Sequence, residues 1–425
     1  MERALSINAD YAEAHTNLGN LCLRENSIDS AIAAYRRALA LQPEYPEALS
    51  NLAVALRTAG RHGEAREHCE QAIAVKPGHV SAYVNYGLVL SDLGRYQDAL
   101  AAYDRALAID PRHAAARADR AVLLLLLGRF AEGWSEYEWR WRTPGFTTPR
   151  RDFSAPMWDG TPLDGRTLLI HAEQGIGSAI QFSRFCRLAA NGGGVVLECQ
   201  PSLRRLFELS FKDGPVSQVV AKGQQLPMCD LHVPMMSLPH VLGTTLETIP
   251  ADVPYLRADP ADQARWAHRL RDVPGPRVGL VWAGNPLHGN DQNRSMPASA
   301  FGPLIVNSPQ ATFFSLQVGP SAGVGMFADG TVRDLAPELT DFADTAAVLD
   351  TLDLVISVDT AVAHLAGALG KPVWLMIPSV PEWRWLLARE DSPWYPTMRL
   401  FRQDRAGDWA GVVDRVSSAL RTMTL

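Results

Sequence analysis

Two polar residues at a strand end in the last quarter of the chain could hold a phosphate group. The apolar run Leu354–Val358 predicts a buried strand, and Asp359 and Thr360 follow it and open a helical stretch. Backbone N–H groups at the start of a helix carry partial positive charge and bind anions. His364 follows within one helical turn and is expected to point towards the same mouth. The alternative is structural, with Asp359 or Thr360 capping the helix and His364 buried in the core.

A glycine-rich turn follows an earlier apolar run. Residues 167–171 predict a strand, and the turn that includes Gly175, Gly177 and Ser178 leads into a helical stretch that reaches about residue 190. The order strand, glycine turn, helix, strand is typical of a βαβ unit. A lone Gly-x-Gly is a weak signal and by itself indicates only a turn. Glu173 adds a carboxylate that could either accept a proton or cap the following helix.

The elements that must position these residues alternate between strand and helix. Further strands are predicted at 195–199, 216–220, 277–282, 312–316 and 373–376. We therefore predict an α/β fold of two doubly wound, Rossmann-like lobes. They comprise residues 160–255 and 276–425, are joined by an interlobe connection at 256–275, and face each other across a cleft. Ligands of such sheets bind beyond the carboxyl ends of the strands.

The first third of the chain repeats a 34-residue unit over the segments 12–43, 46–77, 80–111 and 114–142. Four registers recur at this spacing: Pro43, Pro77 and Pro111; Gly19, Ala53, Gly87 and Ala121; Ala31, Ala65, Ala99 and Gly133; Tyr35, Cys69, Tyr103 and Tyr137. Small residues let paired helices cross closely, and the tyrosines fill the groove between them. The pattern resembles the tetratricopeptide repeat (TPR), which implies an α-helical superhelix.

We place the array at residues 1–142 and a Pro/Thr-rich linker at 143–159. Residues 4–8 resemble the end of an earlier repeat, so we expect a partial repeat at the N-terminus and a longer natural array.

A polar ladder runs along the first helix of each repeat. Asn17, Asn51 and Asn85 lie 34 residues apart, with Asp119 in the next position. Asn offers both a donor and an acceptor, so such a ladder on the concave face could hold an extended peptide backbone. The stretch resembles the repeats of O-linked N-acetylglucosamine transferases, which implies a protein acceptor. The alternative is that these side chains cap or bridge neighbouring helices.

The stretch from Asp359 to Pro372 closely resembles the nucleotide-sugar site of bacterial heptosyltransferase-like enzymes of the two-lobed GT-B fold. Their motif reads Asp-Thr-Gly-x-x-His-x-x-Ala-x-x-x-x-x-Pro, and Ala361 replaces the usual Gly. The resemblance implies that Asp359, Thr360 and Ala361 hold the donor diphosphate and that His364 lies near the sugar.

The same resemblance suggests further donor contacts. A basic residue before the first helix of the second lobe contacts the phosphates in these enzymes. Arg294, followed by Ser295, matches it, and its planar guanidinium suits a diphosphate. The alternative for Arg294 is a solvated loop charge. Gln317, at the end of the next strand, could contact the base or the ribose. Two aromatic-rich loops, 381–385 and 392–396, either line a sugar site or fill the interface between the lobes.

The first lobe departs from the resembling families at one position. Their glycine turn reads Gly-x-Gly-Asp, and the Asp is the expected general base for the acceptor hydroxyl. Here Ser178 occupies that position. A serine is not a useful proton acceptor near neutral pH, and loss of a general base typically costs about 10²–10⁴-fold in rate. Either Glu173 takes the role or catalysis is weak or absent.

Composition excludes several functional classes. The net charge is −6 and both halves of the chain are mildly acidic, which disfavours nucleic acid as a partner. The longest aliphatic run is far shorter than the roughly 20 residues of a transmembrane helix. Five scattered cysteines without a CxxC pair indicate reduced thiols in a cytoplasmic protein. We expect no metal site and no cofactor, with the nucleotide sugar bound as a substrate.

The sequence therefore predicts a bacterial TPR-fused glycosyltransferase that moves a sugar from a nucleotide-sugar donor to a protein acceptor, by an inverting, metal-independent mechanism. One alternative is a catalytically impaired, nucleotide-sugar-binding TPR adaptor. The other is a heptosyltransferase-like enzyme of cell-surface glycan synthesis. The sugar, the nucleotide base and the acceptor are not encoded in any motif.

Overall fold

The computed structural model describes residues 11–423 except 320–322, 324, 326, 328 and 329. The chain forms two compact units, one made by residues 132–146 with the chain before residue 128, the other by residues 128–131 and 147–425. The partial repeat expected at residues 4–8 lies outside the described residues. Within the part of the chain that is described, no helix is both long and apolar enough to cross a membrane.

The first unit consists of paired helices that follow the 34-residue repeat. The first six helices pack as three consecutive pairs, each pair packs on the next element, and the seventh helix packs on the 3₁₀ turn Glu138–Arg142. Its α-helices are α1 (Ala12–Arg24), α2 (Ile28–Leu41), α3 (Pro46–Thr58), α4 (His62–Val75), α5 (Val80–Asp92), α6 (Tyr96–Ile109), α7 (Ala114–Leu126) and α8 (Phe130–Tyr137), the last of which crosses the boundary between the units.

The turn inside each pair repeats a single backbone geometry. Asn26, Gly60 and Gly94 have positive φ angles of 58°, 74° and 72°. In the second pair, the N–H of Gly60 donates to Arg57 O, and the N–H of Arg61 donates to Leu56 O. This is the double hydrogen bond of a left-handed helix C-cap, which favours Gly or Asn because the steric strain of that conformation is smallest for these residues. These three positions lie 34 residues apart, so they form a further repeating position of the array, which the sequence analysis did not use.

Small residues of one helix lie against aromatic rings of its partner. A β-carbon placed on Gly19 would lie 2.5 Å from the ring of Tyr35, and one on Gly87 would lie 2.6 Å from the ring of Tyr103. The second repeat pairs Ala53 with the smaller Cys69, and both side chains are fully buried in one apolar cluster. Where one helix carries the larger Ala in place of Gly, its partner carries the smaller Cys in place of Tyr, so the contact between the helices stays filled.

The first lobe of the second unit is built on a four-stranded parallel sheet with the strand order β3-β2-β1-β4. Its strands are β1 (Thr167–His171), β2 (Gly194–Cys199), β3 (Val216–Ala221) and β4 (Leu231–Pro234). Its α-helices are α9 (Ile176–Phe182), α10 (Cys186–Ala189), α11 (Arg204–Phe211) and α12 (Leu238–Val241). The strand β4 was not predicted. The helical stretch expected after the glycine turn is interrupted by a 3₁₀ turn, Ser183–Phe185.

The second lobe has a six-stranded parallel sheet with the order β10-β9-β8-β5-β6-β7. Its strands are β5 (Arg277–Val281), β6 (Thr312–Ser315), β7 (Val332–Asp334), β8 (Leu354–Val358), β9 (Val373–Ile377) and β10 (Met398–Arg402). The helices from the interlobe connection onward are α13 (Pro260–Arg269), α14 (Asp291–Arg294), α15 (Gly302–Val306), α16 (Phe342–Thr351), α17 (Ala361–Ala368) and α18 (Trp409–Thr422).

All the ladders in both sheets are parallel. The carboxyl ends of each sheet's strands therefore share one edge, where an α/β fold binds its ligands. Helix α9 of the first lobe packs directly on α17 of the second. The two predicted site regions, at the starts of these helices, thus lie on elements that contact each other.

Candidate functional site

The strand β8 delivers Asp359 and Thr360 to the start of α17. Thr360 is the N-cap residue, but its side chain makes no capping hydrogen bond to the first turn of the helix. Its hydroxyl instead lies 3.1 Å from Ser357 Oγ, and Asp359 Oδ2 accepts a 2.9 Å hydrogen bond from Trp385 Nε1. Of the structural alternative, side-chain capping by the N-cap residue Thr360 is not observed, whereas His364 is buried, with 5% exposed. The backbone N–H groups of the first turn keep the anion-binding character of an uncapped helix start.

His364 is held between the two lobes in one orientation. Its Nδ1 lies 2.9 Å from Tyr395 Oη, and its ring stacks on Trp385 with 5.3 Å between ring centroids. A β-carbon placed on Gly177 of α9 would lie 2.9 Å from His364 Cδ2, so the glycine permits this close approach. Burial, reinforced by Arg384 and other nearby guanidinium groups, lowers the pKa of His364 well below its usual value. The imidazole is therefore neutral near pH 7.

Arg294 and Ser295 lie at the carboxyl end of β5. The Ser295 hydroxyl accepts from Gly284 N at 2.8 Å and donates to Asp291 Oδ1 at 2.9 Å. Arg294 Nε pairs with the same carboxylate at 3.2 Å, and the arginine side chain is 15% exposed. A β-carbon on Gly284 would lie 2.5 Å from Arg294 Nη2, so the glycine makes room for the guanidinium. Arg294 is thus an oriented cation at the strand edge and differs from the solvated loop charge considered as its alternative.

Gln317 lies at the end of β6 and bonds to the end of the neighbouring strand. Its Oε1 accepts from Trp282 N and Ala283 N, at 3.0 and 2.9 Å, and its Nε2 donates to Ala283 O at 3.1 Å. The side chain is 4% exposed. These bonds give Gln317 a structural role in joining two strand ends. Its contact with a base or ribose stays a prediction.

The glycine turn of the first lobe places Glu173 and Ser178 in different environments. Glu173 is only 1% exposed, and its Oε1 accepts a 3.1 Å hydrogen bond from Met236 N. Gly175 is the N-cap of α9, so Ser178 lies in the first turn of that helix. Ser178 Oγ accepts a 3.0 Å hydrogen bond from Arg384 Nη2 of the second lobe. The position of the family's base therefore faces a cation, whereas Glu173 faces the interior of the first lobe.

The two aromatic-rich loops pack at the interface between the lobes. Trp383, Trp385, Trp394 and Tyr395 are each at most 3% exposed. Phe182 of α9 lies 6.4 Å from Trp383 and 5.9 Å from Trp394 between ring centroids. Of the two alternatives that the sequence left open for these loops, the contacts match interface packing.

Three charged residues of this region were not singled out by sequence. Arg384 contacts Glu382 in its own loop and Ser178 and Gln181 in α9. Glu382 is 29% exposed, and its Oε2 accepts a 3.0 Å hydrogen bond from Arg384 N. Burial raises the pKa of Glu382 to about 7, against the opposing effect of Arg384. The third residue, Arg184, is almost fully buried. The available signal was the alternation of charged residues with tryptophans in the segment 381–385.

The asparagine ladder of the first unit makes hydrogen bonds between repeats. Asn51 Nδ2 donates to Asn20 Oδ1 at 2.9 Å, and Asn85 Nδ2 donates to Ser50 Oγ at 2.9 Å. Asn17 is exposed. These hydrogen bonds match the alternative in which the ladder bridges neighbouring helices. Each side-chain amide nevertheless keeps further donor and acceptor capacity for a peptide. Burial raises the pKa of Asp119, the next residue in the ladder, to about 6.

Over the described ranges, no group of three or more His, Cys, Asp or Glu side chains could hold a metal ion.

Comparison with known proteins gives matches in both parts of the chain. Residues 19–58 and 44–112 match tetratricopeptide repeat families. Residues 326–375, which include β7, β8, α17 and the first part of β9, match glycosyltransferase family 9 (heptosyltransferase). Protein FlbA of Caulobacter vibrioides is 29% identical over 315 residues, which cover 68% of this chain and 52% of FlbA. The chain thus spans about half the length of this curated relative.

Two solved structures of TPR proteins are also similar. A thermophilic TPR protein of Thermus thermophilus is 28% identical, with 32% of this chain and 76% of that chain covered and a TM-score of 0.30. YrrB, described as a TPR protein with an unusual peptide-binding site, is 23% identical, with 32% and 71% covered and a TM-score of 0.28. The chain is thus similar to tetratricopeptide repeats over residues 19–112 and to glycosyltransferase family 9 over residues 326–375, and its helical repeats are followed by an α/β unit with two parallel sheets.

Proposed function

We propose that this protein transfers a sugar from a nucleotide-sugar donor to a hydroxyl group of a protein acceptor. The observation that carries the proposal is the start of α17, where no side chain caps the helix and Arg294 provides a cation at the same sheet edge. An uncapped helix start beside a guanidinium is suited to a diphosphate. The match of residues 326–375 to glycosyltransferase family 9 supports the same assignment.

The donor is bound as a substrate, and no cofactor or metal takes part in the proposed mechanism. Arg294 and the N–H groups of the first turn, from Ala361 onward, would neutralise the charge that develops on the departing diphosphate. Asp359 is tied to Trp385 and therefore orients the loop at the donor site. Neutral His364, fixed by Tyr395, would lie near the sugar as a hydrogen-bonding group.

The acceptor would bind along the concave face of the repeats. The ladder of Asn17, Asn51, Asn85 and Asp119 gives polar contacts at a constant spacing. Asn51 and Asn85 each use a donor for a bridge between repeats, which holds the amide in place and leaves its oxygen free to accept from a peptide N–H. A cytoplasmic location is consistent with the five cysteines, all of which are free thiols.

A second candidate is a nucleotide-sugar-binding adaptor with impaired catalysis. Two observations favour it: Ser178 stands where the resembling enzymes have their base, and the carboxylate of Glu173 is bonded inside the first lobe. The adaptor would bind both the nucleotide sugar and the protein segment but would not transfer the sugar.

Calorimetric titration of the full chain with UDP, GDP, ADP, CDP and dTDP tests the donor site. We expect one of them to bind and Arg294→Gln to weaken it about 10- to 100-fold, as expected for the loss of a charge-assisted hydrogen bond. The matched control is Arg399→Gln, which removes a half-exposed arginine from the same lobe and should leave binding unchanged. If none of the five binds at millimolar concentration, both candidate functions are wrong.

A further inference from the structure

The carboxylate of Glu382, in the second lobe, shares a hydrogen-bonding partner with Ser178, the residue at the position of the general base in the resembling enzymes. Glu382 precedes the 3₁₀ turn Trp383–Trp385 and accepts from Arg384 N through Oε2, while Oε1 pairs with the Arg384 guanidinium. The same guanidinium donates through Nη2 to Ser178 Oγ at 3.0 Å. One planar cation therefore contacts both the Glu382 carboxylate and the Ser178 hydroxyl.

The partners of this carboxylate leave it able to accept a proton. Each oxygen has one hydrogen-bonding partner, and a carboxylate oxygen can accept two. The side chain is 29% exposed, whereas that of Arg384 is 9% exposed. Glu382 thus reaches solvent from a position that the buried arginine holds in place.

The charges around Glu382 come from three elements. Arg384 belongs to its own loop, Asp359 lies at the start of α17, and Arg294 ends α14. Burial raises its pKa and Asp359 raises it further, while the two arginines lower it, with the result near 7. A base is most effective when its pKa is close to the working pH, so this balance suits proton transfer at neutral pH.

We propose that Glu382 is the general base of this protein and that Arg384 positions it at the place left by Ser178. This inference rests on the proposed glycosyl transfer and assigns the residue that the first lobe does not supply. The other carboxylates of the site are less accessible: Asp359 and Glu173 are 7% and 1% exposed, and the Asp291 side chain is 15% exposed and pairs with Arg294.

The proposed step conserves atoms and charge. The Glu382 carboxylate takes the proton of the acceptor hydroxyl while that oxygen forms a bond to the anomeric carbon of the sugar. The bond from the anomeric carbon to the diphosphate oxygen breaks, and the nucleoside diphosphate leaves with the electron pair. Water can replace the acceptor hydroxyl, so slow donor hydrolysis reports on the same base without a known acceptor.

The test compares the full-length wild-type chain with Glu382→Gln and Glu390→Gln. Glu390 is 80% exposed and pairs with Arg399, so its variant removes a carboxylate of the same lobe outside the site. The nucleotide sugars to be assayed are those of the nucleoside diphosphate that binds best in calorimetry. The release of this nucleoside diphosphate from them is measured from pH 5.5 to 8.5. The affinity of each variant for the nucleoside diphosphate checks that it is folded.

We expect Glu382→Gln to lower kcat about 10²- to 10⁴-fold with an unchanged Kd for the nucleoside diphosphate. Glu390→Gln should behave like the wild type. The wild-type rate should rise with pH through an apparent pKa near 7 and then level off, because the base must be ionised. Glu382→Gln should lose that rise, and Glu382→Asp should restore part of it.

Three results would overturn the assignment. The first is a Glu382→Gln rate within about threefold of the wild type, and the second is a wild-type pH profile without a rise near 7. The third is a wild-type chain that binds the nucleoside diphosphate but releases none from any nucleotide sugar, which would leave the adaptor function. Failure of the wild type to bind any nucleoside diphosphate is a different result, since it removes the proposed function itself.

Discussion

Arg184 is expected to hold the two lobes of the second unit together. Arg184 is 5% exposed, and its guanidinium donates to Gln181 O at 2.8 Å, to Trp394 O at 2.6 Å and to Tyr255 Oη at 3.0 Å. The ring of Tyr395 lies 4.7 Å from the guanidinium carbon. Arg184 and Gln181 belong to the first lobe and Trp394 and Tyr395 to the second, so one buried cation joins both.

Arg184→Met keeps most of the aliphatic stem and removes the charge and its donors. Hydrogen bonds to a charged group contribute about 1.5–3 kcal/mol each to stability, and the carbonyls left without a donor would stay desolvated and unsatisfied. Removing the buried charge returns part of its desolvation free energy. We expect a net loss of about 2–4 kcal/mol, the range of large single-residue effects.

The assay is native-state hydrogen exchange of the full chain, read on peptides from α9, from α17 and from the segment 392–398. A loss of about 2–4 kcal/mol corresponds to a decrease in protection of about 30- to 1,000-fold where exchange follows local opening. The matched control is Arg187→Met, which changes an exposed arginine of the neighbouring helix α10. Protection within about threefold of the wild type in α17, or an equal loss in the control, would refute the interlobe role of Arg184.

Two further predictions concern packing and pH. In the repeats, Cys69→Tyr should destabilise the first unit by about 1–3 kcal/mol by overpacking against Ala53, and Ala53→Gly should restore part of that loss, as the Gly–Tyr pairs of the neighbouring repeats do. If the two substitutions changed the midpoint of urea unfolding additively, positions 53 and 69 would not be coupled and the prediction would be wrong. Because the folded pKa of His364 is below its unfolded value of about 6.5, the unfolded state binds more protons, and the stability of the second unit should fall as pH drops below about 6.5. The stability difference between the wild type and His364→Asn, measured by pulse proteolysis in urea, should change between pH 7.5 and 5.5, whereas a constant difference would mean that His364 titrates normally.

The sequence alone determined the repeats and most strands because both are local patterns. The 34-residue registers follow from contacts between neighbouring helices, as Gly19 against Tyr35 illustrates. The strand β8 is buried at every position and apolar except for Ser357, because parallel strands are covered on both faces. Short edge strands such as β7, with two of its three residues exposed, carry no such pattern and were missed.

The tertiary structure decided which polar groups meet. Gln317 was singled out by its place at a strand end, whereas its bonds to Trp282 N and Ala283 N, 35 and 34 residues earlier in the chain, are visible only in the folded protein. Ser178 and Arg384 are 206 residues apart and touch because the two lobes pack on each other. The residue types at strand ends are a local property, whereas the hydrogen-bonding partner of each side chain depends on how the lobes pack. The chemistry assigned to Glu382 therefore follows only from the folded chain.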